Sequence, residues 1–500
     1  MRLPLGKPWN AVLPWALASL PFLLMVAWFW NRGPGLNADD WGLSLLHAQA
    51  LVEGRPYWDT GYLPSGLDLA PARQPPGLPV LVALTMALAG EFNLTAVKVA
   101  MVLAAFPFFL LAGLTFGRSH GTPTGVAVML MLTVGLAAAP PAAATHVQSD
   151  LGFATLVWMV LALLDRPGAI SWPRVAAVFC LSTFAVSYRY LGVALAPTIA
   201  LYALAHRARG GFRLAAVPAV WGLAGVVATF IVGWSTVRQQ VAFDVGDLMM
   251  QVQQLIPYYG RAAVVALLYP LPWDRANDLY HLLALGLTAV GLVLWTRAGG
   301  WRSAAWLFTA AYCFTLLIVY NRAGRYLIPV LPVVLFGFVH GTAWVLGRVR
   351  AWSAERATSA AVGAVGAIAV AALVLLVTTE PRQGGNLSEQ PGAQEFFAFL
   401  TSEHAVSPAR VAFVKPRVLT WSTRVPAMIV PINAPDEFMG ELDRQGITHV
   451  ALDRVGIEDW RTESAWRMID TYGCRFESAF DNGSFVVYRV LPPCTDLARS

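Results

Sequence analysis

The sequence is poor in charged residues. Only 13% of its 500 residues are Asp, Glu, Lys or Arg, whereas soluble globular chains average about 25%. Hydrophobic residues make up 57%, and the mean hydropathy is +0.56. A chain with so little polar surface cannot face water on all sides, which excludes an ordinary soluble protein and indicates an integral membrane protein.

Lysine is scarcer still, because Lys7, Lys98 and Lys415 are the only lysines. The formal net charge of +6 therefore depends on arginine. These arginines lie mainly in short links between apolar blocks, which is where charges that set membrane topology are found. Their placement argues against a nucleic-acid partner.

The apolar residues form blocks of about 18–23, the length that crosses a hydrocarbon core as a helix. Two further apolar pieces, 77–90 and 260–272, are too short to cross and are predicted to re-enter or to lie at the interface. No small-residue cleavage site follows the first block, which predicts an uncleaved first span. The candidate spans are 11–30, 95–117, 122–141, 147–164, 172–188, 190–206, 213–233, 279–297, 302–320, 326–346 and 358–378.

The arginines predict the orientation. If the N-terminus is cytoplasmic and the short pieces do not cross, the arginine-rich links all face the cytoplasm; if 77–90 crosses, the cluster at 206–213 falls outside. The first choice predicts a polytopic α-helical membrane domain of about eleven spans over 1–379, with 380–500 outside the cytoplasm. The cytoplasmic basic residues are then Arg118, Arg166, Arg174, Arg207, Arg209, Arg213, Arg297, Arg302, Arg348, Arg350 and Arg356.

Residues 380–500 have a different character. Apolar runs at 411–414, 428–431, 450–452 and 485–490 are predicted strands, and helical stretches are predicted near 392–402, 435–445 and 458–470. This alternation indicates a small extracytoplasmic α/β domain.

Cysteine is also scarce, with four residues in the chain. Cys180 and Cys313 lie inside apolar blocks, and we expect them to be buried small hydrophobes. Cys474 and Cys494 flank a predicted strand pair, and the sequence leaves open whether they form a disulfide, which an extracytoplasmic location would permit.

The first long loop, 31–76, lies outside in this topology. It contains Asp39-Asp40 soon after the first span, followed by an amphipathic stretch in which Leu43, Leu46 and His47 share one helical face. Two adjacent carboxylates at the membrane surface suit a general base. The alternative is that they cap a helix beginning at residue 41.

Further polar and aromatic residues fall on the same outer face. Arginines there oppose the positive-inside bias, and an anionic ligand would compensate for them, because the guanidinium fork matches phosphate oxygens. Each arginine taken alone would as readily pair with a lipid head group or a carboxylate. The tyrosines suit stacking on sugar rings, or equally an interfacial aromatic belt. These outer-face residues are Tyr57, Tyr62, Lys98, His146, Asp150, Tyr188, Arg189, Tyr190, Arg322, Arg325 and Tyr326.

Several short motifs occur in a familiar order. An acidic pair after the first span, an amphipathic helix ending in Gly, and Pro-Pro-Gly before an apolar stretch resemble the GT-C superfamily of membrane glycosyltransferases. The stretch 188–197, Tyr-Arg-Tyr-Leu-Gly through to Pro, and the stretch 325–332, Arg-Tyr-Leu-Ile-Pro-Val-Leu-Pro, are similar to segments of the protein O-mannosyltransferase and lipid A aminoarabinose transferase relatives. The resemblance covers residues 10–350.

The resemblance implies a sugar donor attached to a polyprenyl phosphate and an extracytoplasmic acceptor (an envelope glycan, lipid or protein). It also implies a location in the bacterial inner membrane. Asp39 would be the general base of an inverting transfer, Asp40 stands where relatives often have Glu, and Asp150 takes the place of the second-loop acidic residue.

The same resemblance assigns the donor phosphate to arginines on the outer face. Arg189, Arg322 and Arg325 are the candidates, with Lys98 beside them. Relatives carry Lys or Tyr before Pro-Pro, where this chain has Gln74. Arg73 would replace that residue from one position earlier.

Some superfamily members use a divalent metal ion. Asp39, Asp150 and His146 could supply oxygen and nitrogen ligands to one. Nothing in their spacing requires a metal, and the sequence leaves a metal-free reaction equally open.

Two other functions fit a many-span protein with outer-face cations. A transporter or flippase of a lipid-linked sugar would more often show paired halves and charges near the midplane of broken helices. A non-catalytic envelope protein would use residues 380–500 as its binding module. Because the ionisable residues gather at one surface and no half-repeat is visible, the enzyme hypothesis is favoured.

Overall fold

The computed structural model describes residues 9–30, 39–63, 75–90, 92–138, 149–221, 253–259, 274–318, 324–379, 392–430, 435–454 and 460–494. The helices are α1 Trp9–Phe29, α2 Asp39–Val52, α3 Gly77–Ala89, α4 Leu94–His120, α5 Thr122–Ala138, α6 Ser149–Asp165, α7 Trp172–Tyr188, α8 Leu195–Ala205, α9 Asp274–Arg297, α10 Ala304–Ile318, α11 Leu331–Arg350, α12 Ala354–Thr379, α13 Ala393–Val406, α14 Pro416–Thr423, α15 Pro435–Gln445 and α16 Trp460–Thr471. The strands are β1 Val411–Phe413, β2 Ala427–Ile429, β3 His449–Asp453, β4 Phe476–Asp481 and β5 Phe485–Val490.

The chain forms two compact units. Unit 1 comprises Met1–Gly33 and Lys98–Pro381, and unit 2 comprises Pro34–Val97 and Arg382–Ser500. The first long loop, which the sequence analysis grouped with the membrane domain, therefore clusters with the C-terminal region.

Unit 1 is helical throughout the part of it that the structure describes. Its helices follow the predicted spans closely: α7 has the predicted bounds 172–188, and α4 and α12 contain the predicted spans 95–117 and 358–378. By length and composition, Thr95–His120 and Arg325–Arg350 could each cross a membrane. The number of spans stays a prediction, and 222–252 and 260–273 lie outside the described residues.

Two predicted spans do not begin as regular helices. Residues Tyr190–Ala194 and Gly324–Val330 are 3-10 segments, and α8 and α11 follow them. Prolines account for the second interruption, because Pro329 and Pro332 lack the N–H that a helix interior needs and are tolerated only near a helix start. Arg189 directly precedes the first 3-10 segment, and Arg325 lies within the second. Both arginines therefore lie before the regular α-helix of the span.

Glycines allow a close contact between α9 and α11 in unit 1. A Cβ on Gly341 of α11 would overlap the Leu287 carbonyl oxygen of α9, and one on Gly291 would overlap the Gly337 carbonyl oxygen. Small residues at this spacing let helix backbones approach within a membrane.

Cys180 and Cys313 are exposed on the surfaces of α7 and α10. The expectation that both are buried is wrong, because a helix that is apolar all round turns some apolar residues outward. An apolar sequence cannot tell which of those residues face another helix.

Unit 2 contains a five-stranded sheet in the order β2-β1-β3-β5-β4. Strands β1, β2 and β3 are parallel, and β5 and β4 continue the sheet antiparallel. Alternate residues of β1 face opposite sides: Val411 and Phe413 pack with α13 and α14, while Ala412 packs with α15 and α16. The four predicted strands are confirmed in position, and β4 with β5 forms the strand pair predicted between Cys474 and Cys494. Helix α14 had no sequence prediction.

The first loop extends this sheet at its β2 edge. Ala427 N–H donates to the Gly61 carbonyl at 3.2 Å, and Leu63 N–H donates to the Ala427 carbonyl at 2.9 Å, so Tyr62 pairs with Ala427 in parallel. A disulfide joins Cys474 to Cys494. The sequence had left open whether these two cysteines are bonded.

Candidate functional site

Asp150 is an almost completely buried carboxylate at the start of α6, and 3% of the residue is exposed. Its Oδ1 accepts a hydrogen bond from Arg189 Nη1, and its Oδ2 lies 4.0 Å from Arg325 Nε. Arg189 directly follows α7, and Arg325 lies in the 3-10 segment before α11. Residues from three links that the topology assigned to one face therefore meet in one cluster, called here the Asp150 cluster.

Among the residues that the structure describes, the three side chains of the Asp150 cluster have a positive net charge. Two guanidinium groups and one carboxylate sum to +1, and the side chains are 14% exposed for Arg189, 25% for Arg325 and 4% for Asp150. Unpaired charges are costly at this burial, so the carboxylate holds both cations in place. The surplus suits a monoanion such as a phosphodiester, which arginine binds through paired hydrogen bonds.

The backbone beside Arg325 is held by buried side chains of neighbouring helices. Tyr312 Oη donates to the Tyr326 carbonyl at 2.9 Å, and Trp158 Nε1 donates to the Pro329 carbonyl at 2.9 Å. The Arg189 guanidinium lies 4.7 Å from the centroid of the Tyr326 ring, in cation–π geometry. The 3-10 segment is thereby fixed at both ends, and Tyr326 is 7% exposed.

The arginines at the other end of α6 behave differently. Arg174 donates to three carbonyls at residues 163, 164 and 166, and Arg209 and Arg213 donate to carbonyls at 166, 168 and 170. Asp165, roughly 22 Å from Asp150 at 1.5 Å per helical residue, accepts the Ala304 N–H at 3.0 Å. Three links predicted to be cytoplasmic therefore meet here. Their charged side chains form hydrogen bonds with backbone groups of these links and of the adjoining helix ends.

Lys98, Tyr188 and Tyr190 have separate surroundings. Lys98 Nζ donates to the Trp30 carbonyl at 2.9 Å and lies 5.8 Å from the Trp30 ring. Tyr188 is buried against Gly152, where a Cβ would lie 2.7 Å from Tyr188 Cε1. Tyr190 is 53% exposed. Of the three, Tyr190 offers a surface to a ligand.

In unit 2, α2 begins at Asp39, so Asp39 and Asp40 both lie in its first turn. This differs from the expectation of a helix starting at residue 41. The side-chain atoms of the two aspartates lie outside the described part of the structure.

His47 on α2 contacts Tyr57. The rings stack with centroids 4.2 Å apart, and Nδ1 lies 2.6 Å from the Tyr57 carbonyl, which requires an Nδ1–H donor. The pKa of His47 is below its ordinary value mainly because burial disfavours the charged ring; the hydrogen bond opposes this, and the positive charge of Arg417 adds to it. His47 is therefore neutral at pH 7, and one face of the predicted sugar contact Tyr57 is covered.

Tyr62, the other predicted sugar contact in this loop, is 6% exposed. It packs with Leu43, Leu46 and Trp421, and the Arg417 guanidinium lies 4.8 Å from its ring centroid. These contacts give Tyr62 a packing role within unit 2.

Three predicted site residues, Arg73, His146 and Arg322, lie outside the described residues. Within the described ranges, no group of three or more His, Cys, Asp and Glu side chains could hold a metal ion. Of the three metal-ligand candidates, only the carboxylate of Asp150 is described, and it faces Arg189 and Arg325. The choice between a metal-dependent and a metal-free reaction, which the sequence left open, stays open.

Trp158, Tyr312 and Arg417 were not among the residues predicted from the sequence. The first two lie inside apolar spans, where an aromatic residue is ordinarily a packing residue. Arg417 had one available indication: it is a charged residue within a largely apolar stretch, Val411–Leu419. A buried Arg in such a stretch needs a specific partner.

Comparison with models of protein families gives no match, and comparison with curated protein sequences gives none either. Solved structures do match. ArnT from Cupriavidus metallidurans bound to undecaprenyl phosphate is 14% identical, with 98% of this chain and 100% of that chain covered and a TM-score of 0.52.

The oligosaccharyltransferase AglB from Archaeoglobus fulgidus, in complex with an inhibitory peptide and a dolichol-phosphate, is 10% identical; 89% of this chain and 70% of that chain are covered, with a TM-score of 0.54. The same archaeal enzyme tethered to an acceptor peptide containing the NVT sequon is 12% identical, with 90% and 70% covered and a TM-score of 0.54. ArnT and AglB are GT-C superfamily members. At these identities the likeness establishes the fold, so the GT-C-like fold indicated by the motifs is confirmed.

Proposed function

We propose that this protein is a glycosyltransferase that moves a hexose or pentose from a polyprenyl-phosphate-linked donor to an extracytoplasmic acceptor, with inversion at the anomeric carbon. The observation that carries the proposal is the Asp150 cluster, a buried group with a net charge of +1 in a GT-C-like fold. Structures of similar fold contain undecaprenyl phosphate and a dolichol-phosphate. The acceptor is an envelope glycan, lipid or protein.

In the proposed reaction an acceptor hydroxyl oxygen attacks the anomeric carbon of the donor sugar. Asp39 removes the hydroxyl proton, the new glycosidic bond forms, and the bond from the anomeric carbon to the phosphate oxygen breaks. The bonding electrons leave with the polyprenyl phosphate, whose negative charge increases. Groups aimed at this developing charge accelerate the step.

Arg189 and Arg325 are proposed to stabilise the negative charge that develops on the leaving phosphate. A sugar phosphodiester donor carries one negative charge, which matches the +1 of the Asp150 cluster, and the leaving phosphate gains more. Arg189 and Arg325 are held by Asp150, by the Tyr326 ring and by the anchored 3-10 segment, so little reorganisation is needed when the charge appears. Asp150 is thus assigned as the residue that positions the phosphate-binding arginines.

Topology and location complete the proposal. We place the reaction on the extracytoplasmic side of a bacterial inner membrane, since the carbonyl-bound arginines at the other end of α6 follow the positive-inside rule. The chain is proposed to comprise a transmembrane catalytic domain over 1–379 and an extracytoplasmic domain over 380–500.

The test is donor turnover by purified protein in nanodiscs. A panel of radiolabelled polyprenyl-phosphate sugars is supplied with an envelope extract as the acceptor source, and release of free polyprenyl phosphate is measured. We expect release by the wild type and by Asp59→Asn, a matched control in the same loop whose side chain is 54% exposed. We expect none from Asp39→Asn, although that variant still binds donor.

The results separate the parts of the proposal. Turnover by Asp39→Asn at the wild-type rate would refute the assignment of the base. No release from any donor by a folded wild type would refute the transferase. Lipid scrambling would then be measured, because a flippase is the alternative.

A further inference from the structure

Helix α14 of the C-terminal region lies directly against α2, the helix that begins with Asp39 and Asp40. The two helices approach closely at Gly42, where an added Cβ would be in tight contact with α14. A Cβ on Gly42 would lie 3.0 Å from Arg417 Cβ, 3.2 Å from the Arg417 carbonyl carbon and 3.4 Å from Val418 N. Since Gly42 lies within one helical turn of Asp39, α14 contacts α2 at its acidic end.

The side chain of Arg417 holds the same contact. The residue is 4% exposed and its guanidinium lies over the Tyr62 ring, which itself packs on Leu43 and Leu46 of α2. A planar cation stacked on an aromatic ring has one preferred geometry, unlike a purely apolar contact. Arg417 therefore connects α14 to α2 through the Tyr62 ring.

Further contacts extend this interface between α2 and α14. Arg424, after α14, pairs with Glu53 after α2 at 3.1 Å, and Gln49 donates to Glu53 at 2.7 Å. Trp421 meets Phe92 edge-on, with ring centroids 4.8 Å apart. The backbone pairing of Tyr62 with Ala427 extends the interface to strand β2.

We propose that Arg417 is a positioning residue, which together with α14 fixes the start of α2 and so makes the C-terminal region part of the catalytic apparatus. The inference rests on the proposed function, in which the carboxylate at the start of α2 is the base. Proton transfer depends on geometry to within about 1 Å, and a misplacement of that size can cost about 100-fold in rate. The position of a base at the beginning of a helix depends on the position of the helix. Arg417, which lies outside the first loop, restrains the position of α2.

Two substitutions of different chemistry test the restraint. Arg417→Gln removes the stacked cation, and Gly42→Val pushes α14 away while every charge is kept. For each we expect kcat to fall about tenfold or more, with the donor KM within about twofold of wild type, because the proposed phosphate contacts at Arg189 and Arg325 are untouched. Arg417→Lys, which keeps the charge but loses the planar stack, should recover only part of the rate.

Matched controls come from the same unit. Arg467→Gln removes an exposed arginine of α16 that pairs with Glu463, and Gly440→Val changes a glycine of α15 with no atom within 4 Å of its added Cβ. Both should retain the wild-type kcat. Hydrogen exchange of the α2 amides, measured by mass spectrometry, should accelerate in Arg417→Gln and Gly42→Val and stay unchanged in the two controls.

The outcomes are distinguishable. If kcat and α2 exchange are both unchanged in Arg417→Gln and Gly42→Val, or if exchange rises while kcat is unchanged, the positioning role is refuted. If Arg417→Gln fails to fold, Gly42→Val and Arg417→Lys decide between the same outcomes. If the wild type itself turns over no donor, the proposed function fails, and the exchange measurement alone still decides whether Arg417 fixes α2.

Discussion

Replacement of Asp150 by Asn tests the charge balance of the Asp150 cluster most directly. The Arg325 Nε to Asp150 Oδ2 distance of 4.0 Å corresponds to an attraction of about 4 kcal/mol at an effective dielectric constant of about 20. Desolvation offsets part of that attraction in the wild type. Removing one partner of a buried pair nevertheless costs about 3–5 kcal/mol, because the other charge stays buried without compensation.

Asn keeps the shape of Asp and can still accept a hydrogen bond from Arg189, so we expect the lower end of that range, about 3 kcal/mol of unfolding free energy. The measurement is unfolding of the purified protein by SDS titration in mixed micelles. The control is Asp481→Asn, which breaks an ion pair with Arg454 whose side chains are 38% and 40% exposed. That change should cost less than about 1 kcal/mol.

Stabilisation by a lipid ligand tests whether the Asp150 cluster binds phosphate. Undecaprenyl phosphate at about 100 times its Kd stabilises a folded state by about 2.7 kcal/mol. Asp150→Asn removes the carboxylate of the cluster, so a bound phosphate should be attracted more strongly by Arg189 and Arg325, and the same lipid concentration should stabilise the variant by about 1 kcal/mol more than the wild type. Equal stabilisation of both proteins by the lipid, or an Asn variant as stable as the wild type, would refute the reasoning.

Two further predictions concern packing and pH. Gly341→Val should cost about 3 kcal/mol or prevent folding, because its side chain would overlap the Leu287 carbonyl. Gly363→Val, with no atom near its added Cβ, should fold normally, and equal yields of monodisperse protein from the two would contradict the packing argument. Burial lowers the pKa of His47 and of His449 below 6.5. The unfolded state then binds more protons, so stability should decrease as pH falls below about 6.5, and His449→Gln should flatten that dependence in thermal unfolding scans.

Local features of the sequence were enough to locate most elements. Spans such as α4, α7 and α12 follow from apolar blocks of membrane-crossing length, and the strands at 411–413 and 485–490 follow from short apolar runs between turns. Length and hydropathy are properties of neighbouring residues, so they can be read without knowing what the element packs against. The interruption at Gly324–Val330 was missed, although Pro329 and Pro332 are visible in the sequence.

The candidate site could be predicted only in part. Asp150, Arg189, Arg325 and Tyr326 were chosen because the topology put them on one face, and the structure brings them into contact. Tyr62 was chosen for its residue type and proved to be buried. Residue type and membrane side restrict the candidates, but they do not tell which ring faces a ligand and which packs inside.

The sequence by itself indicated a membrane protein with a GT-C-like order of motifs and a C-terminal region of alternating strands and helices, because hydropathy, arginine placement and motif order are properties of the linear chain. Only the tertiary structure decided that Asp150 pairs with an arginine 39 residues away. It alone also showed that the first loop folds with residues 382–500, through Gly42, Tyr62 and Arg417. Contacts between distant segments depend on the simultaneous packing of many side chains, and no local period in the sequence encodes them.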